Sequence, residues 1–506
     1  MKQVVFFTIY TQGCLQVKPP SYLLESARFD FGDGSDGYVR FIGEKANLKK
    51  THITFIVGAN GTGKSRMLAS LVDAFNELYS QNSIEDKYYR QLSGLHNLPC
   101  IEIVARANGV SDETSPQHSK ERNLSTPHLP SRILAISNLV IDKFPYRQDS
   151  INEDQFYHYL GVRQASNLTT TGSTDRAVAE SVIRMLADST RLEAFGSWID
   201  MVFGNGREIA FGFNRRKLQE IRKFLKIRKK VEYIKERLDR RLGSRRADMI
   251  SGEELSAMTG HIEELFTLLE NHLQTQLYSK VERAILRLAT LQDQDKSNLS
   301  RLVIGFLAAS RAGISVWPSL LFEARSWLGF EELSSGQQNL LSVGAKVIAY
   351  ATPGSLVVID EPEVSLNVVW QQRYVELLQK SLAGAPGSHV IIATHSPHML
   401  SSVAHGLASI VTLGRKSDQI VVEVQDGVFE GWGSESVLYN VLQIPSASNY
   451  HLTRELSAVL KHIQDGGKDK DFLNGFMTKI SRINYNDIEP LALVVKEVQA
   501  YMERLD

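Results

Sequence analysis

The stretch that most constrains this chain runs from residue 53 to residue 65 and reads Ile-Thr-Phe-Ile-Val-Gly-Ala-Asn-Gly-Thr-Gly-Lys-Ser. An apolar, β-branched run, Ile53 to Val57, leads into it. Gly58, four residues, then Gly63, Lys64 and Ser65 fit the phosphate-loop pattern. Apolar residues at helical spacing follow: Met67, Leu68, Leu71, Val72 and Phe75. Strand, loop and helix is the setting in which this pattern has a mechanism. Glycines at 58, 61 and 63 let backbone N–H groups turn inward with no Cβ in the way. Those amides, with the positive end of the following helix, cradle anionic phosphates. Lys64 is expected at the β- and γ-phosphates and the Ser65 hydroxyl on Mg²⁺. The expected ligands are therefore ATP and Mg²⁺. Asn60, Gly61, Thr62, Gly63, Lys64 and Ser65 are the expected cradle.

Three later stretches belong to the same chemistry. Leu333-Ser-Ser-Gly-Gln-Gln338 opens a helix that continues through Leu340, Leu341, Val343, Ala345, Val347 and Ile348. A serine at a helix start caps free N–H groups, and the same donors suit a γ-phosphate. Ser334, Gly336 and Gln337 are the nucleotide-binding candidates there. Ser355 to Ile359 is an apolar strand that ends in Asp360-Glu361. Asp360 is placed to hold Mg²⁺ through water, and Glu361 to polarise the attacking water as general base. Glu363 reads as structural. Val390 to Ala393 is another buried strand, ending in Thr394-His395-Ser396, where His395 can bond the γ-phosphate. A polar group at a further strand end should contact Mg²⁺ and water; Asn138 and Gln164 are the two candidates. One aromatic among Tyr10, Phe29, Phe31, Tyr38 and Phe41 can stack on adenine, with core packing the competing role for each.

The chain is expected in three parts: residues 1–165, the N-terminal part of an α/β head; 166–330, a helical insertion or arm; and 331–506, the C-terminal part of the head, ending in helices. Residues 107–131 read as a loop. Arg215 to Arg246 carries fifteen Lys and Arg against four acids, with apolar residues close to helical period. A second apolar-periodic helix runs from Ile262 to Val281, and the polar segment between Gly243 and Gly260 reads as turn-like. This predicts a helical hairpin whose basic face contacts nucleic acid, docks an acidic protein or is simply a solvated face. The net charge of zero means that no global field steers the chain to nucleic acid or membrane. Two cysteines, Cys14 and Cys100, are too few for a disulfide framework. No apolar run approaches the roughly 20 residues of a membrane span, and the first ten residues read as a strand rather than a signal peptide. A cytoplasmic protein is expected.

The order phosphate loop, Leu-Ser-Ser-Gly-Gln, Asp-Glu-Pro-Glu, Ser365-Leu366 and Thr-His-Ser-Pro resembles the ABC-type ATPase superfamily, in its non-transporter branch with the SMC and RecF proteins. Asp360-Glu-Pro-Glu-Val-Ser-Leu with Ala393-Thr-His-Ser-Pro is similar to the OLD-like ATPases of bacterial genome defence. Ile133-Leu-Ala-Ile-Ser-Asn followed by Asp142-Lys-Phe-Pro resembles the PtuA ATPases of Septu and retron-associated anti-phage systems. The likeness covers residues 1–165 and 331–440. It implies an ABC-type head, ATP hydrolysis, and a homodimer or higher oligomer in which Ser334 and Gly336 complete the ATP site of a second copy. It also implies a regulatory or sensor role over a separate HNH endonuclease. OLD proteins continue into a metal-binding nuclease domain, whereas the residues after His395 hold no obvious acidic metal cluster. Ser335 stands where many members carry glycine. The alternative is a DNA repair or chromosome-maintenance ATPase of RecF or SMC type.

Overall fold

The structure is a computed structural model. It describes residues 21–30, 36–43, 51–59, 61–82, 100–108, 110–114, 129–139, 141–145, 155–161, 171–243, 249–279, 281–292, 296–400, 408–416, 419–425, 437, 450–480 and 489–505. The expected strand Val4 to Tyr10, the adenine candidates Tyr10 and Phe31, the cradle residue Asn60 and the candidate Gln164 lie outside these residues.

The centre is a seven-stranded sheet in the order β15-β14-β3-β13-β12-β6-β7. Its strands are β3 (His52–Gly58), β6 (Ile133–Ser137), β7 (Tyr157–Tyr159), β12 (Leu356–Asp360), β13 (His389–Ala393), β14 (Ala408–Lys416) and β15 (Gln419–Gln425). All neighbours are parallel except β14 and β15. Strands covered on both faces read as near-continuous apolar runs, and β3, β6, β12 and β13 are buried along their whole length. Alternate side chains leave by opposite faces. Phe55, Leu134, Ile136, Val357, Ile359, Val390 and Ile392 enter one core. Ile56, Ile133, Ala135, Leu356, Val358, Ile391 and Ala393 enter the other.

Helix α1 (Lys64–Asn82) lies on the second face and buries Met67, Leu68, Leu71, Val72 and Phe75 there. The same core is closed by an antiparallel sheet in the order β2-β1-β4-β5, from β1 (Tyr22–Asp30), β2 (Asp36–Arg40), β4 (Cys100–Ala107) and β5 (Val110–Thr114). Phe29 and Phe41 are buried in it, whereas Tyr38 is exposed. Strand β5 corrects the reading of 107–131 as loop. Val110-Ser-Asp-Glu-Thr has one apolar side chain, and its pairing with β4 runs through the backbone.

The first face carries α2 (Thr171–Met185), α3 (Ser189–Phe203), α9 (Ser335–Tyr350) and α10 (Val368–Ser381). Residues 166–330 were expected to be helical, and they hold more than helices. They contain a second antiparallel sheet in the order β11-β10-β8-β9, from β8 (Ile209–Asn214), β9 (Arg283–Arg287), β10 (Ser319–Glu323) and β11 (Trp327–Gly329). The basic stretch forms two helices, α4 (Arg215–Lys226) and α5 (Lys230–Leu242). The helix after them, α6 (Gly252–Tyr278), begins inside the segment read as a turn. Its first residues are polar and exposed, so apolar spacing marks it only from Met258 onward. Short α7 (Leu288–Gln292), then α8 (Lys296–Arg311), complete this region. It is no free-standing arm: Ile221, Phe224, Ile234, Leu238, Ile262 and Phe266 belong to the same apolar core as Phe55 and Ile359 of the central sheet. After β13 come the single turn α11 (Pro397–Leu400) and, later, α12 (Tyr450–Gln464), α13 (Lys470–Ile480) and α14 (Glu489–Leu505), which share a small core of their own.

Candidate nucleotide site

The sheet register brings the motifs together. Asp360 at the end of β12 is level with Ala393 of β13 and Ser137 of β6, and Ala393 is level with Ile56 of β3. The loops after these strands therefore leave from one edge of the sheet. Ligands of open α/β sheets bind in the crevice at the carboxyl ends of their strands. Here that crevice is a cleft of about 270 Å³, lined by Gly61, Gly63, Lys64, Ser65, Glu361 and His395, with Arg66 and Lys143 at its edge.

The glycine loop has the geometry its sequence requires. Gly58, Gly61 and Gly63 all have positive φ, at 154°, 81° and 93°. A Cβ on Gly58 would come within 2.2 Å of the Leu413 carbonyl oxygen of β14, so this position is closed to side chains. Thr62 is buried, and its hydroxyl donates to the Ala59 carbonyl at 2.9 Å. The Lys64 ammonium donates to the Gly58 carbonyl at 3.0 Å and to Ala59 at 3.3 Å. Desolvation lowers its pKa, and the charges of Glu361, Asp360 and Glu363 work against that.

Ser65 Oγ donates to Asp360 Oδ1 at 3.0 Å. Burial pushes the Asp360 carboxyl up to about 6, against the Ser65 hydrogen bond. A buried carboxylate beside a hydroxyl supplies the oxygen ligands that a hard cation takes, and a cation there would relieve the desolvation of Asp360. Among the described residues no group of three or more His, Cys, Asp or Glu side chains can hold a metal alone. A cation at Ser65 and Asp360 would depend on phosphate oxygens for the rest of its shell.

Glu361 has φ +49°, a left-handed conformation that a non-glycine residue adopts at a cost. Its N–H donates to the Ala393 carbonyl at 2.9 Å. Its Oε1 lies 3.0 Å from His395 Nε2, and that same Nε2 is 2.7 Å from Lys64 Nζ. A neutral imidazole nitrogen can donate to the carboxylate or accept from the ammonium, but it serves one of them at a time. Glu363 lies behind this pair: its Oε1 accepts from the His395 N–H at 2.6 Å. Burial first, then the Glu361 charge, push the Glu363 carboxyl up to about 7. Burial also works to raise Glu361, but the hydrogen bonds from His395 and Glu363 and the charges of His395 and Lys64 outweigh it and hold that carboxyl down. Of the two acids, Glu361 is the one kept ionised, and Glu363 positions the histidine loop.

Ser334, Gly336 and Gln337 do not line this cleft. They start α9 as a capping box: Ser334 Oγ accepts from the Gln337 N–H at 3.4 Å, and Gln337 Oε1 accepts from the Ser334 N–H at 2.9 Å. A Cβ on Gly336 would come within 2.3 Å of the Ser365 carbonyl oxygen. Glycine is thus required where the turn after Glu361 meets the start of α9. Asn138 is half-buried after β6 and is not part of the cleft lining. Lys143 was not singled out from sequence as a site residue. Its signal was the Asp142-Lys-Phe-Pro stretch itself, in which buried Asp142 accepts from Tyr159 Oη at 2.5 Å and from the Phe144 N–H at 3.0 Å.

Residues 230–401 match a family model described as AAA domain, putative AbiEii toxin, Type IV TA system. The match takes in the capping box, Asp360-Glu361 and His395, and begins after the phosphate loop. No curated protein matches the chain. Among solved structures, an SMC head bound to the C-winged helix domain of ScpA is similar at 13% identity and TM-score 0.31, covering 80% of this chain and 97% of its own. The SMC head with an extended coiled coil bound to the C-terminal domain of ScpA, from Pyrococcus furiosus, gives 14%, 0.29, 80% and 96%. The SMC head domain from Thermotoga maritima gives 12%, 0.31, 80% and 99%.

Proposed function

We propose that the chain binds ATP with Mg²⁺ and hydrolyses it, as the regulatory or sensor subunit of an anti-phage defence system. The observation that carries the enzymatic part is the convergence of Lys64, Ser65, Glu361 and His395 on one cleft, with Asp360 bonded to Ser65. Lys64 and the loop amides hold the β- and γ-phosphates. Ser65 and Asp360 would hold Mg²⁺, which neutralises charge on the transferring phosphoryl group when bound. Glu361, ionised and fixed by its backbone, orients a water for in-line attack and takes its proton. The water oxygen bonds to the γ-phosphorus, the bond to the β-phosphate oxygen breaks, and ADP and phosphate leave. His395, placed between Lys64 and Glu361, bonds the γ-phosphate and changes partner once it departs.

The family description, with its putative toxin, supports placing this ATPase in control of an effector rather than in a transporter. The resemblance of its motifs to the PtuA ATPases supports a separate HNH endonuclease as that effector. The working unit is a homodimer. Ser334 and Ser365 are exposed, and Val368 at 46% and Val369 at 61% exposure stand beside them. This face suits a second copy whose nucleotide the α9 start would complete.

Turnover of radiolabelled ATP and equilibrium binding test the reading. Lys64→Ala should lose nucleotide affinity. Glu361→Gln should keep it and hydrolyse more slowly by roughly 10² or more. Unchanged turnover in the second variant would remove Glu361 from the mechanism. Cleavage by an HNH chain encoded alongside, altered when Lys64→Ala replaces the parent, is the expected sign of the regulatory role.

A further inference from the structure

The basic stretch singled out in the sequence does not spread its charge evenly over the surface. Three of its arginines, Arg237, Arg240 and Arg241 of α5, meet Arg176 of α2 around a cleft of about 380 Å³ floored by Trp317 and the end of α8. Among the described residues no carboxylate lines it. We propose that this cleft binds a phosphate-bearing ligand, separate from the nucleotide site.

Four guanidiniums around a small volume repel one another unless an anion sits among them; at Arg176 burial works against the charge first, the Glu180 carboxylate then favours it, and Arg241 adds like charge. The nearest acids are engaged on individual arginines: Glu220 bonds Arg237 at 2.6 Å, and Glu236 bonds Arg240. The arginines are also held in place by neutral oxygens. Arg237 donates to the Gly313 carbonyl at 3.3 Å, Arg176 to Ser310 Oγ at 3.0 Å, and Arg241 to the carbonyls of Ser310 and Arg311 at the end of α8. Carbonyls at a helix C-terminus attract cations and fix them. Arg176 also lies over the Trp317 ring, 5.8 Å from its centroid.

Trp317 supplies the second observation. It is 4% exposed, and its indole N–H is a buried donor with no acceptor among the described residues. A cleft with four guanidiniums, whose neutral lining oxygens at Ser310 and Gly313 already accept from them, is complementary to phosphate oxygens, which only accept, and guanidinium forks match phosphate in geometry as well as charge. The source is either a free nucleotide-like phosphate or the backbone of a nucleic-acid strand, and the chemistry at the arginines is the same.

The proposal does not rest on the ATPase reading. The test is made in full-length chain carrying Lys64→Ala, which weakens capture by the phosphate loop. Two probes are used: inorganic pyrophosphate by calorimetry, and a fluorescein-labelled single-stranded DNA of 20 nucleotides by anisotropy across a salt series. Arg176→Gln with Arg241→Gln should weaken whichever probe binds by tenfold or more. If DNA binds, its salt slope should become shallower by about 1.4, from two lost contacts at roughly 0.7 each. Arg240→Gln is the milder second variant should the pair misfold; its side chain is 70% exposed, and it should weaken binding severalfold. Arg216→Gln, on α4 and outside the cleft, should leave binding unchanged. Pyrophosphate without DNA identifies a free ligand; DNA identifies a strand. Binding of neither probe at low salt overturns the proposal. Equal loss in Arg216→Gln also overturns it, because the basic face would then act diffusely.

Discussion

His52 and His389 stand at the foot of the two strands that carry the phosphate loop and the histidine loop, their ring centroids 5.5 Å apart. His52 Nε2 lies 3.2 Å from Ser409 Oγ, and His389 Nε2 is 2.8 Å from Thr54 Oγ1. Burial pushes His52 from 6.5 down to about 4. Acid therefore protonates the unfolded chain before the folded one. The contribution of His52 to stability is complete above about 6.5 and is lost as the pH falls toward 4, amounting to about 2–3 kcal/mol at pH ~4.5. Urea unfolding at neutral pH and at pH ~4.5 should show the parent losing that much more than His52→Gln, with the His389 shift present in both. Equal losses would place the acid sensitivity elsewhere. At this scale the sequence was informative wherever chemistry needs a particular atom in a particular order, as at Lys64, Ser65, Asp360, Glu361 and His395. It was silent where the property is made by surroundings. Nothing in Glu363 as a letter separates a carboxyl that holds its proton from its ionised neighbour two residues back. That difference arises from burial and from the Glu361 charge, which raise Glu363 against the lowering pull of the His395 N–H, while, against burial, the His395 side chain holds Glu361 down.

Helices α3 and α9 pack by exclusion of a single methyl. A Cβ on Gly344, in the middle of α9, would come within 2.5 Å of the Trp198 ring. The indole has little room to retreat: it is fully buried, its N–H donates to Ser381 Oγ of α10 at 2.7 Å, and it meets Tyr374 edge-on at 5.7 Å. Gly344→Ala would gain about 1 kcal/mol of helix propensity, while overpacking of a core costs about 1–3 kcal/mol. The net expectation is a lower urea midpoint with an altered tryptophan emission. Gly475→Ala, at an exposed position of α13 with nothing within 4 Å of the added carbon, should instead raise the midpoint. A raised midpoint for Gly344→Ala would show that the indole yields. Elements with long apolar periods, such as α1 and α9, and uniformly apolar strands, such as β12 and β13, could be read in advance. Strands β8 and β10 could not. Ile209-Ala-Phe-Gly-Phe and Leu320-Leu-Phe are too short to tell a strand from a turn of buried helix. They pair with each other across about a hundred residues of chain.

For the whole molecule, the separation of the α9 start from the Lys64 cleft frames the dimer as a testable arrangement. Chains with Lys64→Ala and chains with Ser334→Arg should each be inactive alone. In a mixed two-fold dimer one site combines both lesions and the other two intact halves. Mixing should therefore restore ATPase activity, up to about half per mixed dimer by this counting of equivalent sites. No recovery despite demonstrated subunit exchange would mean that each site is built within one chain or that the two sites must fire together. The motif order was legible in the sequence, but the sheet order was not, nor was the seating of α4 to α6 on the head. Both depend on which apolar faces meet, and periodicity states only that a face exists. The sheet order has a consequence for how such a chain is made. Strand β3 is flanked by β13 and β14, so the strand that delivers the phosphate loop has both neighbours in the last quarter of the sequence. His52 pairs with His389, 389 − 52 = 337 residues on. At ribosomal rates of about 5–20 residues per second, β3 waits roughly 17–67 s for its first partner. Throughout that interval a mostly apolar strand, with His52 and Thr54 its polar residues, has two open edges, the form most prone to pair with a stranger. Until the last quarter emerges, β3 can be satisfied only by a contact made outside the native sheet, and the residues of β12 and β13 meet the phosphate loop only after that point.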